Sequence, residues 1–116
     1  MNSNTLPKMA FQKKFTVLFT GAGGAGTIYL LRHLKNTGLF KTIGVDADKH
    51  ALGLYLADEG YVVPQVTSPD YFPAIKKIIE KEKVDVLVPL IDEELLEFSD
   101  WEKKFHEFKV LLPAKE

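Results

Sequence analysis

The stretch from Phe15 to Leu34, FTVLFTGAGGAGTIYLLRHL, constrains the chain more than any other. Phe15 to Phe19 is a run of aromatic and β-branched residues that reads as a strand. A corner dense in glycine follows, from Gly21 to Gly26. Ile28, Leu31 and Leu34 then recur three apart, with Leu30 beside them, the spacing of a helix face. Strand, tight turn and helix in that order are the first half of a βαβ unit. Glycines at 21, 23 and 26 fit G-x-G-x-x-G in the context that motif requires. Each answers a physical need. Gly21 permits the tight turn, Gly23 lets a ligand approach the backbone, and Gly26 lets the helix pack close to the strand. The rival register, G-x-x-G-x-x-G counted from Gly21, requires glycine where the chain has Thr27. A helix N-terminus presents free N–H groups and a partial positive charge. A phosphate or carboxylate is therefore the guest expected at Gly21, Ala22, Gly23, Gly24, Ala25 and Gly26. A turn that merely joins strand to helix is the plainer alternative.

The rest of the chain continues the alternation. The first helix should stop near Gly38, a good C-terminal cap. Lys41 to Val45 reads as a second strand, Lys49 to Ala57 as a short helix weakened by Gly53, and Tyr61 to Val63 as a third strand closed by Pro64. Ser68 is a candidate N-cap with Pro69 at the first helical position, opening a helix to about Lys83 that buries Ile75, Ile78 and Ile79. Val84 to Leu90 reads as a fourth strand, covered on both faces. Asp92 caps a further helix from Glu93 to about Phe105, with Leu95, Leu96 and Phe98 as core candidates, and Val110 to Leu112 forms a fifth strand. The pattern predicts an α/β, Rossmann-like open parallel sheet of about five strands in order 3-2-1-4-5, with helices on both faces. Residues 1–14 read as a loose leader and 15–116 as one domain.

Composition narrows the function classes. A chain of 116 residues holds one core. Fifteen Lys and Arg against sixteen Asp and Glu give a net charge of -1, which argues against a nucleic-acid partner. There is no cysteine, so disulfides, thiolate metal sites and cysteine nucleophiles are excluded. No apolar run approaches the roughly 20 residues of a membrane span, and the N-terminus lacks a signal-peptide core. A cytoplasmic protein with no membrane partner is the expectation; homo-oligomerisation is left open.

Asp46 closes the second strand 20 residues beyond Gly26, the place of a ribose-binding acid in a dinucleotide site. Asp46-Ala47-Asp48 is equally good turn sequence. Asp92, Glu93 and Glu94 follow the fourth strand and should face the same crevice. Carboxylates at a helix start are favourable through the dipole alone, or one of them touches a ligand amine or hydroxyl. His33, His50 and His106 lack metal-ligand spacing, and Trp101, Phe105 and Phe108 should cover the sheet edge or a partner surface. No nucleophile–base pair, metal cluster or Walker lysine is present, so no catalytic or metal-ligating residue is assigned.

These residues together resemble a known family. VLFTGAGGAG, TIGVDAD, LYLADEGYVVP, PDYFPAIKKIIEKEKVDVLVP and DEEL look like the N-terminal, pre-ATP-grasp domain of ATP-grasp ligases, the group that includes carbamoyl-phosphate-synthase large-subunit-like proteins and other carboxylate–amine ligases. The likeness runs from Thr16 to Glu116, and Ala57 to Pro64 and Asp85 to Glu94 carry it best. It implies a substrate-binding domain, inactive alone, for a small carboxylate or amino-acid-like substrate. An ATP-grasp domain in cis would follow Leu112 and Pro113 and hold most of the ATP and Mg2+, with no cofactor bound tightly by this chain. In the whole protein a carboxylate would be phosphorylated and an amine would attack the acyl phosphate. The chain departs from authentic carbamoyl-phosphate synthases after the glycines, where Gly24-Ala25-Gly26-Thr27-Ile28 stands in place of a longer proline- and isoleucine-containing stretch. The alternative is an NAD(P)-binding Rossmann domain of an oxidoreductase or regulatory protein, resting on Gly21, Gly23, Gly26 and Asp46. A third reading is an interaction domain with a relict site.

Overall fold

A computed structural model describes residues 14–112, so all of the expected leader except Lys14, and Pro113 to Glu116, lie outside the described residues. Five strands form one sheet in the order β3-β2-β1-β4-β5, and every pair is parallel. The elements run β1 (Phe15–Phe19), α1 (Ala25–Thr37), β2 (Phe40–Asp46), α2 (Gly53–Leu56), β3 (Glu59–Val62), α3 (Tyr71–Glu82), β4 (Val86–Val88), a 3-10 turn (Asp92–Glu94), α4 (Leu95–Lys104) and β5 (Lys109–Val110). Val17 and Phe19 of β1 face Leu31 of α1, while Leu18 faces Ile75, Ile78 and Ile79 of α3 and Phe98 and Trp101 of α4. The period-2 alternation of one strand thus feeds two cores, one on each face of the sheet. No helix among the described residues is long and apolar enough to cross a membrane.

Several boundaries differ from the sequence expectation, each for a local reason. Gly38, at φ 71°, does end α1. Helix α3, in contrast, starts at Tyr71, three residues after Ser68. Ser68 builds the preceding turn instead: its Oγ accepts Asp70 N–H at 3.1 Å and its carbonyl accepts Tyr71 N–H at 3.1 Å. Strand β4 is only three residues long. Val84 N–H is taken by Ile79 at the end of α3, and Pro89 has no N–H to give. Leu96, expected in the core, is 83% exposed, because the 3-10 turn rotates the start of α4 so that Phe98 and Trp101 point inward. Trp101 and Phe108 lie in one buried cluster with Val110 of the edge strand β5, rather than on an exposed surface. They are buried and pack with Phe98, Phe72 and Phe105 as edge-to-face and stacked rings.

Glycines outside the corner hold the β2–β3 half together. A Cβ on Gly53 would lie 2.0 Å from the Ala22 carbonyl oxygen, and one on Gly60 would lie 2.2 Å from that of Leu54. Helix α2 is therefore pressed against the glycine corner on one side and β3 on the other, at distances only glycine permits. Asp58 ties the same region: its Oδ2 accepts Thr42 N–H at 2.8 Å and the Thr42 hydroxyl at 3.1 Å, and its own N–H donates to Thr42 Oγ1 at 3.0 Å.

Candidate functional site

The carboxyl ends of β1, β2, β3 and β4 carry the glycine corner, Asp46, the Pro64 loop and the Asp92–Glu94 turn to one side of the molecule, where ligands bind in open parallel sheets. Gly21 adopts φ 59°, the left-handed region, and its carbonyl accepts Gly24 N–H at 3.0 Å and the Thr27 hydroxyl at 2.9 Å. Ala22 N–H donates to Val45 and its carbonyl accepts Gly53 N–H. Gly23, Gly24, Ala25 and Gly26 are exposed. Gly26 does not mediate close helix–strand packing, since a Cβ there would meet nothing within 4 Å. The close approach is made at Gly53 instead.

Asp46 occupies the corner itself. Its Oδ2 accepts Gly23 N–H at 2.9 Å and its Oδ1 accepts Asp48 N–H at 2.8 Å. The turn reading of Asp46 therefore applies, and the anion at Gly23 is the chain's own carboxylate.

The three acids after β4 part company. Asp92 and Glu93 are exposed, whereas Glu94 is fully buried. Glu94 Oε2 accepts the Thr20 hydroxyl and Ile91 N–H, and Oε1 accepts the Tyr71 hydroxyl. The Thr20 hydroxyl in turn accepts Leu90 N–H at 2.8 Å. One side chain thereby pins the end of β1, the start of α3 and the loop after β4. Desolvation raises the Glu94 carboxyl above its ordinary value, opposed by the hydroxyl and amide donors around it. Burial first, and then the hydrogen bond to Glu94, pushes the Tyr71 hydroxyl far above its ordinary value. It stays a neutral donor.

Beside this knot lies a crevice of ≈ 250 Å³. Val45, Val63, Pro64, Val66 and Ile91 form apolar walls, and Asp46, Gln65, Tyr71 and Glu93 supply the polar groups. Of the predicted site residues, the structure brings Asp46 and Glu93 into this crevice and places Glu94 behind it. The glycines and Asp92 do not line it. Gln65 and Tyr71 escaped the sequence reading. Tyr71 stood beside Asp70 and Pro73 as an ordinary helix-start aromatic, and only its pairing with Glu94 marks it. Larger hollows near Lys76, Asp85 and Phe108 sit at the amino ends of β4 and β5, away from the crevice. Among the described residues, no group of three or more His, Asp or Glu is arranged to hold a metal.

A family model, PylC-like, N-terminal domain, matches residues 17–112. The chain belongs to the PylC-like N-terminal domain family. No curated protein matches this PylC-like domain significantly. Among solved structures it is similar to a dTDP-glucose 4,6-dehydratase from Bacillus anthracis in complex with NAD, with a TM-score of 0.60 and 18% identity over 83% of this chain and 36% of that one. It is also similar to RSP, a Rex-family repressor, with a TM-score of 0.54 and 18% identity over 95% of this chain and 54% of that one. The PylC-like domain therefore spans about a third of the first and about half of the second. At this identity the two likenesses speak to the Rossmann-like fold.

Proposed function

We propose that this PylC-like domain is the N-terminal, substrate-facing domain of an ATP-dependent carboxylate–amine ligase of the carbamoyl-phosphate-synthase-like group. The family match across nearly all of the described residues carries the reading. The crevice at the carboxyl ends of the strands supports it: it is small, half apolar, and sized for an amino-acid-like molecule rather than a nucleotide.

ATP and Mg2+ enter only through a following ATP-grasp domain. The crevice lining does not fit a triphosphate, because it contains no Lys, Arg or His, and its two carboxylates would repel one. What this chain contributes is position. Glu94, through Tyr71 and Ile91, holds two crevice walls in fixed relation, and Asp46 and Glu93 present acceptors to the bound molecule. In the proposed reaction a carboxylate attacks the γ-phosphate of ATP to give an acyl phosphate and ADP. The substrate amine then displaces phosphate from the acyl carbon and loses a proton, leaving an amide.

The competing NAD(P) reading is weakened by the Asp46 carboxylate on Gly23 N–H, the amide a pyrophosphate would approach. The test is ADP release by the protein of the whole reading frame, with ATP and a panel of small carboxylates and amines. Turnover that needs one of each is expected. NADH bound at micromolar concentration with no ADP release under any pairing would replace this reading with the dinucleotide one.

A further inference from the structure

At the amino ends of β4 and β5, the opposite end of the strands from the crevice, lies a hollow of ≈ 400 Å³. The buried residues Ile79, Val84 and Phe108 line its apolar part. Some of its charged groups are already satisfied. Lys76 Nζ pairs with Glu80 Oε2 at 2.8 Å and lies 4.2 Å from the centre of the Phe105 ring. Asp85 Oδ2 accepts Thr16 N–H at 2.9 Å. Two others are not. The Lys83 ammonium and the Glu107 carboxylate have no hydrogen-bond or ion-pair partner among the described residues, and they do not pair with each other. Lys83 is also the one non-glycine among the described residues with a positive φ, 53°. It caps the C-terminus of α3, where glycine is the usual occupant, so the chain keeps a strained lysine beside this hollow.

A ligand with only negative charge would meet the carboxylates of Glu80, Asp85 and Glu107, and one with only positive charge would leave Lys83 unanswered. A neutral apolar molecule would strip water from both unpartnered charges and return nothing to them. We propose that the hollow is a second ligand site, separate from the crevice, that takes an apolar α-amino acid as its zwitterion. The ligand carboxylate accepts from Lys83, its ammonium donates to Glu107, and its side chain lies on Ile79, Val84 and Phe108. Both unpartnered charges then gain charge-assisted hydrogen bonds, which are the stronger kind. Because the site sits at the other end of β4, it can be filled while the crevice is filled, and it stands whether or not the crevice belongs to a ligase.

The probes are L-leucine, isocaproate, which lacks the ammonium, and isoamylammonium, which lacks the carboxylate. Each is added to the chain at constant ionic strength while backbone amide shifts are followed. Leucine should move Val84, Asp85 and Phe108 saturably, and both single-charge analogues should bind there about tenfold more weakly, the loss of one charge-assisted contact. Lys83→Gln and Glu107→Gln should each weaken leucine by a similar factor; both residues are exposed and unpartnered, so the variants will fold. Lys77→Gln, an equal change of charge on an exposed residue of α3 outside the hollow, should leave affinity unchanged. Lys83→Gly should weaken leucine as Lys83→Gln does, while its thermal midpoint holds or rises because φ 53° suits glycine. That variant separates a missing ammonium from a damaged fold. The proposal is overturned by leucine shifts that are absent or confined to crevice residues such as Ala47 and Val66. An equal response to either analogue, or unchanged leucine affinity in Lys83→Gln, would overturn it as well.

Discussion

The Ala22 carbonyl, inside the glycine corner, accepts the N–H of Gly53 at 2.9 Å, and this bond seats the first residue of α2 against the corner. A methyl group at residue 53 would lie 2.0 Å from that same oxygen. Backbone, not a flexible side chain, must then move. Gly53→Ala is expected to cost about 3 kcal/mol or more, at the upper end of overpacking. For a domain of this size that lowers Tm by more than about 10 °C in a thermal scan. A loss below about 1 kcal/mol would mean that α2 is not pressed on the corner as described.

Gly26 should behave in the opposite way. It lies in the first turn of α1 at an ordinary helical φ, with open space where a Cβ would go. Gly26→Ala removes backbone freedom from the unfolded chain without a clash, and should raise stability by about 0.5–1 kcal/mol in urea unfolding. Gly21→Ala, at φ 59° and with Ile91 Cγ1 3.2 Å from the new methyl, should lower it by about 1–2 kcal/mol.

Glu94 makes stability depend on pH in an uncommon direction. Desolvation raises its folded-state pKa above the ordinary 4.5. The folded chain therefore keeps a proton that the unfolded chain has released. Its contribution is fully present below pH 4.5 and is lost as pH rises through the folded-state value. Glu94→Gln removes that titration, so the stability of the parent relative to the Gln variant should fall as pH rises from 4.5. Glu94→Ala instead strands the donors of Thr20, Tyr71 and Ile91, and should cost about 3 kcal/mol or more at any pH. Guanidinium unfolding of the three proteins between pH 4 and 8 measures both effects; parallel curves for parent and Gln variant would refute the titration.

How much of this was legible beforehand depends on the distance over which the signal acts. The five strands, their order and the corner at the β1–β4 switch point follow from local apolar runs and turn residues, and the structure has them all. Gly53 looked like a flaw in a short helix because its reason, the Ala22 carbonyl, sits 31 residues away in sequence (53 − 22). Gly26 fitted the motif by spacing alone, and spacing does not say whether a methyl has room. Leu96 fitted a helical stripe, but a single 3-10 turn rotated the register of α4. Within Asp92-Glu93-Glu94 no local property separates the residue that is buried from the one that lines the crevice. Thr20 and Tyr71, 74 and 23 residues away, make that choice.

Tyr61 and Glu82 provide the last test, at the amino edge of the sheet. The Tyr61 hydroxyl donates to Glu82, which also accepts Lys41 Nζ at 3.0 Å, so β3, α3 and β2 meet at one carboxylate. The hydrogen bond to Glu82, more than burial or charge, pushes the Tyr61 hydroxyl up to about 12. The same bond holds the Glu82 carboxyl below its ordinary value, with Lys41 helping and desolvation opposing. A lowered carboxyl contributes stability above its unfolded value of 4.5, and that contribution disappears as pH falls through the folded value. Tyr61→Phe should therefore cost about 1 kcal/mol at pH 7, a modest figure because solvent reaches this pair. The cost should vanish once the buffer is acidic enough to protonate Glu82 in both proteins. Urea unfolding at pH 7 and in strongly acidic buffer measures the difference, and an undiminished cost in acid would assign the effect to packing of the ring rather than to the carboxylate.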